Sequence, residues 1–215
     1  MMYLSRVEIN CNNLKTMRDL AHVETFHAWV EESFPEEWLT HTRSRKLWRV
    51  DTLRGKQYLL VLSNSKPDLT KLEKYGVAHT AATKNYDSLL TSLKKGDRLQ
   101  FRVTLNPVIS LPSERVQDGK RPRGRVVPHV THAQQIEFLA SRAQKYGFSL
   151  EAGEFDIVER DFSYFRKSQK PIRLVKAVYQ GFLTVEDVEL FRNALINGIG
   201  KKKAYGFGMM TVIPQ

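Results

Sequence analysis

Residues 186–213 read EDVELFRNALINGIGKKKAYGFGMMTVI, and they hold the clearest statement of how this chain folds. Val188, Phe191, Leu195 and Ile196 recur at helical spacing, which predicts a helix over Glu186–Asn197. The run Gly198-Ile-Gly200-Lys201-Lys202-Lys203-Ala-Tyr-Gly206-Phe-Gly208 follows it. Phe207–Ile213 then reads as a strand. Glycines let backbone N–H groups come close to a phosphate, and three lysines lie inside the loop. The order helix, glycine loop, strand is the reverse of a Walker loop or a dinucleotide fingerprint, so neither nucleotide reading holds. A tight turn carrying solvated lysines is the plainer alternative.

The same helix-then-strand ending closes a larger pattern. Tyr3–Asn10 alternates, with Tyr3, Ser5, Val7 and Ile9 on one side. Leu20, Val23, Phe26, Val30 and Phe34 follow at helical spacing up to Pro35. Lys46–Thr52 and Gln57–Asn64 form a hairpin around Arg54-Gly55, Asp87–Leu93 is a short helix, and Arg98–Asn106 is a strand stopped by Pro107. Beyond residues 108–128, a flexible or ribbon-like arm rich in Pro, Gly and basic residues, Thr131 with Gln134 opens a capped helix ending at Gly147. Phe155–Arg166 and Ile172–Val185 are strands flanking a basic turn. Each half fits a βαββαβ plan, so the predicted class is α+β with two tandem ferredoxin-like domains, 1–107 and 108–215. No repeat aligns residue by residue; the duplication rests on element order.

The chain has 34 Lys+Arg against 23 Asp+Glu, a formal net charge of +11. A soluble protein this basic usually meets a polyanion, most often nucleic acid. The charge alternates: segments 41–63, 98–130 and 164–180 each carry +5 and 201–215 carries +3, while 1–40 carries −4 and 131–163 carries −3. Each run alone could be a solvated face; four blocks between acidic helices favour one assembled surface. A single cysteine, Cys11, excludes an internal disulfide and a Cys-based zinc site. No window approaches the roughly 18 apolar residues of a spanning helix, and no targeting segment is present, so a cytoplasmic protein without membrane contact is expected.

His27 sits at the border of the first helix's apolar stripe, as a structural histidine would. Glu24, three residues earlier, shares its face and either tunes it or forms an ordinary solvated pair. No histidine pair has the i, i+4 spacing of a zinc site, so no metal and no cofactor are expected. Trp48 and Tyr58 suit hairpin packing, whereas Tyr164, beside Arg166 and Lys167 at a basic turn, suits stacking on an unpaired base.

Taken together, Met2-Tyr-Leu-Ser-Arg-Val, Arg18-Asp19-Leu20 with His27 and Phe34-Pro35, Leu105-Asn106-Pro107, Ala133-Gln-Gln-Ile-Glu-Phe-Leu and the C-terminal glycine loop resemble the CasE family. That family comprises the CRISPR RNA-processing endoribonucleases of type I-E Cascade, within the RAMP superfamily. The resemblance spans essentially the whole chain. It implies a metal-independent endoribonuclease that cuts a repeat stem-loop at its 3′ base, leaving a 2′,3′-cyclic phosphate and a 5′-hydroxyl. The enzyme would keep its product and join the other Cascade subunits. It places the catalytic histidine at His27, which titrates near neutrality and can act as general acid or base. Lys167, with Arg166 and Lys170, would stabilise the phosphate. Arg115, Lys120, Arg121, Arg123 and Arg125 of the arm, Tyr164, Gly198, Gly200, Lys201, Lys202, Lys203, Gly206 and Gly208 would contact RNA. The family pattern carries a tyrosine three residues before the histidine; this chain has Glu24 there, which either joins the proton transfer or leaves it to other groups. A non-catalytic hairpin-binding subunit on the same fold is the alternative, and a basic protein-interaction scaffold is a third class.

Overall fold

The computed structural model describes residues 1–112, 124–167 and 170–214, with backbone alone at 165–167 and 170–171. The first sheet is built from β1 (Tyr3–Glu8), β2 (Leu47–Leu53), β3 (Lys56–Ser63) and β4 (Ala82–Asn85), all antiparallel and in the order β2-β3-β1-β4. Between β1 and β2 lie α1 (Leu14–Asp19), α2 (Val23–Glu32) and α3 (Pro35–Leu39); α4 (Leu69–Leu72) precedes β4 and α5 (Asp87–Ser92) follows it. The second sheet holds β5 (Arg98–Leu105), β8 (Phe148–Ser149), β9 (Phe155–Lys167), β10 (Lys170–Val185) and β11 (Met210–Pro214). Its order is β11-β5-β10, with β9 and β8 both on the far edge of β10. Between them in sequence come the ribbon β6 (Val108–Leu111) with β7 (Arg125–Pro128), α6 (His132–Ala143) and α7 (Val188–Asn197). Both sheets therefore carry the strand order of a ferredoxin-like unit, and the chain is α+β with two such units in tandem.

The local signals explain most of the elements. Ser5 and Val7 are buried along β1, and Ile9 just after it. Arg54 (φ 51°) and Gly55 (φ 77°) both take the left-handed conformation that a two-residue hairpin turn demands. Thr131 and Gln134 form the capping box of α6, and Gly147 (φ 77°) ends that region. The helix expected up to Pro35 is α2, shorter than the stripe and flanked by two short helices the pattern did not show: the Asn13 side chain caps α1 by accepting from Lys15 and Thr16 N–H, and Pro35 starts α3.

One strand changes sheets. The pattern of Arg98–Asn106 assigns it to the close of the first unit, but β5 pairs with β10 and β11, so 98–105 opens the second sheet. The first sheet closes instead with β4, a short polar edge strand paired to β1. β4 is four residues long and mostly exposed, so no buried face imposes an alternating pattern on it and it left no mark in the sequence. The final strand also starts later than expected, at Met210, because Phe207–Met209 remain in the glycine loop.

The two units are locked by a buried arginine. Arg49 of β2, 1% exposed, donates to both carboxylate oxygens of Asp51 at 2.7 and 2.6 Å. It also donates to the backbone oxygens of Arg102 and Met209 at 2.6 and 2.8 Å, and to Thr211 Oγ1 at 2.8 Å. One side chain of the first sheet thus satisfies acceptors on two strands or loops of the second. Among the described residues no helix is long and apolar enough to cross a membrane.

Candidate active site

The site begins with the aromatic stripe of α2. Trp29 and Val30 are buried, and Phe26 stacks on Trp48 of β2, with ring centroids 5.3 Å apart and 17° between planes. Trp48 Nε1 in turn donates to the carbonyl of Ala204 in the glycine loop at 3.3 Å. Val23, at the start of α2, packs with Phe207, Tyr205, Ile172 and Leu174. The helix therefore lies where the first unit, the glycine loop and the β9–β10 hairpin converge. His27 follows Phe26 and emerges at the edge of this junction, its side chain 31% exposed.

Three charged groups, Arg43, Glu31 and Lys46, act on it. Arg43 Nη2 lies 3.3 Å from His27 Nε2 and 3.4 Å from Glu31 Oε1. Glu31 Oε1 is 4.0 Å from His27 Nδ1. Lys46, buried, bridges Glu31 Oε2 at 3.3 Å and Glu37 Oε2 at 2.6 Å. The His27 pKa is held below its usual 6.5 by burial first; Glu31 pulls it up, and Arg43 and Lys46 push it down. At neutral pH the imidazole is the neutral form, able to accept a proton, with a guanidinium beside the accepting edge. Glu24 lies one turn earlier on α2 and is half-buried, but the carboxylate that approaches His27 is Glu31. The i, i+4 spacing from His27 to Glu31 was visible in the sequence; Arg43 was not, because it comes from a loop beyond α3 that no periodicity places.

The glycine loop works differently from the phosphate cradle expected of it. Gly198 N–H donates to Ala194 O, Gly200 N–H to Tyr146 Oη, Gly206 N–H to Lys203 O and Gly208 N–H to Thr104 O, so these amides already have protein partners. The glycines act through shape: at Gly206 (φ 80°) a Cβ would sit 2.7 Å from the Trp48 ring. The loop's charge remains outward. Lys201 and Lys202 are exposed, while Lys203 is half-buried and its pKa is lowered by burial and by nearby Arg45. Arg45 from the first unit and Lys201–Lys203 from the second thus contribute to one basic margin beside α2.

The other expected contacts are distributed as follows. Tyr164 is 54% exposed on β9 and paired across to Arg173 of β10. The backbones of Lys167 and Lys170 pair at the end of that hairpin, as do those of Arg166 and Pro171. Arg125 is exposed in β7, opposite Leu111. Arg115, Lys120, Arg121 and Arg123 lie outside the described residues. Among the described residues no group of three or more His, Cys, Asp or Glu is arranged to hold a metal ion.

Comparison with known proteins bears on the family and the fold. A family model described as CRISPR associated protein matches residues 2–214. The CRISPR-associated endoribonuclease Cse3 of Thermus thermophilus is 29% identical over 225 residues, covering 99% of this chain and 100% of the relative. The CRISPR system Cascade subunit CasE of Escherichia coli is 27% identical over 124 residues, 57% of this chain and 61% of the relative. A solved structure of Thermus thermophilus Cse3 bound to an RNA representing a pre-cleavage complex superposes with a TM-score of 0.79 at 28% identity, covering 99% of both chains.

Proposed function

The chain belongs to the CRISPR associated protein family, in its CasE branch, and on that footing we propose that it is an endoribonuclease acting on CRISPR precursor RNA. The cut falls at the 3′ base of the repeat stem-loop. The 2′-oxygen attacks the adjacent phosphorus, the P–O5′ bond breaks, and the products are a 2′,3′-cyclic phosphate and a 5′-hydroxyl. The observation that carries this reading is His27 at the junction of the two units, with Arg43 at 3.3 Å and burial favouring the neutral imidazole. In that state His27 takes the 2′-hydroxyl proton, and Arg43 faces the charge that grows on the phosphorane. The leaving 5′-oxygen takes its proton from a second donor or from water. With His27 as base, Arg43 facing the phosphorane charge and a second donor or water as acid, the proposed reaction calls for no metal.

The basic margin formed by Arg45 and Lys201–Lys203, the β9–β10 hairpin with Tyr164, Arg166, Lys167 and Lys170, and the arm from Arg115 to Arg125 hold the hairpin and retain the product as part of Cascade. RNA hairpins are recognised by backbone, shape and exposed bases, for which cations and an exposed aromatic are suited. The test is a labelled repeat hairpin incubated with chelator. One cut with a cyclic-phosphate end, lost in His27→Ala while binding persists, is the expected result. Intact RNA with the unaltered protein overturns the proposal in favour of a non-catalytic hairpin-binding subunit.

A further inference from the structure

A cavity of about 480 Å³ opens beside His27, between α2, α3 and the loop after it. Its wall includes Ala28, Glu31, Glu37, Trp38, Thr42 and Arg43. Resting on the proposed reaction, we propose that this cavity seats the nucleotide on the leaving side of the cut, with its phosphate on Arg43 and its base on Trp38.

Arg43 makes the connection. It lines the cavity and also lies 3.3 Å from His27 Nε2, so a phosphate held there is within reach of the imidazole. Its guanidinium is 70% exposed and borrows Glu31 as a partner at 3.4 Å, a contact it can exchange for a phosphate. Trp38 supplies the second contact. Trp29 and Trp48 are 1% and 4% exposed, but Trp38 is 67% exposed, its indole left to solvent on the five-residue helix α3. An exposed indole beside a cation and a cavity is the arrangement that stacks an unpaired base.

The charge of the wall decides which nucleotide fits. Glu31, Glu32 and Glu37 all line it; Glu31 and Glu37 already serve Lys46, and Glu32 pairs with Lys74 at 2.6 Å. They neutralise the cations around them, so the cavity accepts one base and one phosphate but does not attract a run of backbone. That suits the strand that departs after cleavage, whereas the retained hairpin belongs on the basic margin across the junction.

The test uses the full chain and two hairpins carrying a 2′-deoxy sugar at the cut, one ending there and one extended by a single 3′ nucleotide. Trp38 fluorescence is read against a Trp38→Phe baseline. The extended RNA is expected to quench Trp38 and to bind about tenfold more tightly than the shorter one. Trp38→Ala should erase that difference without altering affinity for the shorter RNA, Trp38→Phe should keep most of it, and Arg43→Ala should also erase it. Equal quenching and equal affinity for the two RNAs overturn the assignment, as does discrimination that survives Trp38→Ala. Cleavage of the unmodified hairpin is scored separately: its absence alongside preserved discrimination counts against the proposed reaction and leaves the nucleotide seat standing.

Discussion

Replacing Gly206 by alanine tests whether the glycine loop acts by shape. Two costs add at that position. Its φ of 80° is a left-handed conformation that charges an ordinary residue about 1–2 kcal/mol. The new methyl would also lie 2.7, 2.9 and 3.2 Å from three carbons of the Trp48 indole, a rigid group already stacked on Phe26, so the loop or the ring must move. Overpacking of this kind costs about 1–3 kcal/mol. Gly206→Ala should therefore lose about 2–5 kcal/mol in urea unfolding. Gly200 provides the control: φ is 75°, but an added Cβ meets only Leu105 Cδ2 at 3.8 Å, so Gly200→Ala should lose the backbone cost alone, about 1–2 kcal/mol. In a Trp48→Leu background the ring is gone and the cost of Gly206→Ala should fall to the Gly200→Ala value, an interaction that a double-mutant cycle reads directly. Hairpin cleavage should slow more in Gly206→Ala than in Gly200→Ala, since the displaced indole carries Phe26, the neighbour of His27. Equal stability losses at the two glycines, or an unchanged cost without Trp48, would refute the packing argument.

The neighbours of His27 should move the acid limb of the cleavage profile in opposite directions. Activity that needs the neutral imidazole falls as pH drops through the His27 pKa, which burial, Arg43 and Lys46 hold below 6.5. Arg43→Ala removes a depressing cation and should shift the limb to higher pH, while Glu31→Gln removes the carboxylate that raises the pKa and should shift it lower; shifts of the same sign would contradict the assigned environment. Asp51→Ala leaves the buried Arg49 guanidinium without its carboxylate and should cost about 3–5 kcal/mol in chemical denaturation. Neutralising Lys201 and Lys202 together should weaken hairpin binding across sequences and flatten the plot of log affinity against log salt by about one unit per lysine; an unchanged slope would remove them from the RNA surface.

How much of this was legible in the sequence follows the range of the forces involved. Short-range signals were readable: the hairpin at Arg54-Gly55, the capping box at Thr131 and Gln134, and the stripe through Val23, Phe26 and Val30 all correspond to observed structure. Strand partnership was not, because an alternating strand such as β5 suits either sheet, and only the buried contacts of Phe101, Val103 and Leu105 with Ala177 and Tyr179 select the second. The junction was partly legible. His27 could be singled out from its place beside Phe26, but its true neighbours Arg43 and Lys46 lie across two turns and a helix, in a loop without period. The glycine spacing is conspicuous in the sequence, yet its use is not, since only the geometry shows Trp48 in the space that glycine vacates.

The net charge of +11 acquires a different meaning once individual cations are followed. Two of the six basic residues in segment 41–63 never reach a ligand: Arg49 holds the two sheets together and Lys46 bridges Glu31 and Glu37 beneath the site. The carboxylates that Lys46 bridges account for part of the acidic charge counted on the first helices. Two further cations of that segment, Arg43 and Arg45, stand on either side of a functional boundary. Arg45 joins Lys203 on the margin shared with the second unit, where burial first and then the Arg45 charge lower the lysine pKa. Arg43 turns toward His27 and Glu31, where positive and negative charge are balanced. The proposed nuclease, keeping one product and freeing the other, would need such an asymmetry: strong, unbalanced attraction for the retained hairpin and a compensated field where the departing nucleotide would sit. The first gives affinity with steep salt dependence, and the second lets a proton move on a neutral imidazole without trapping the strand that must leave.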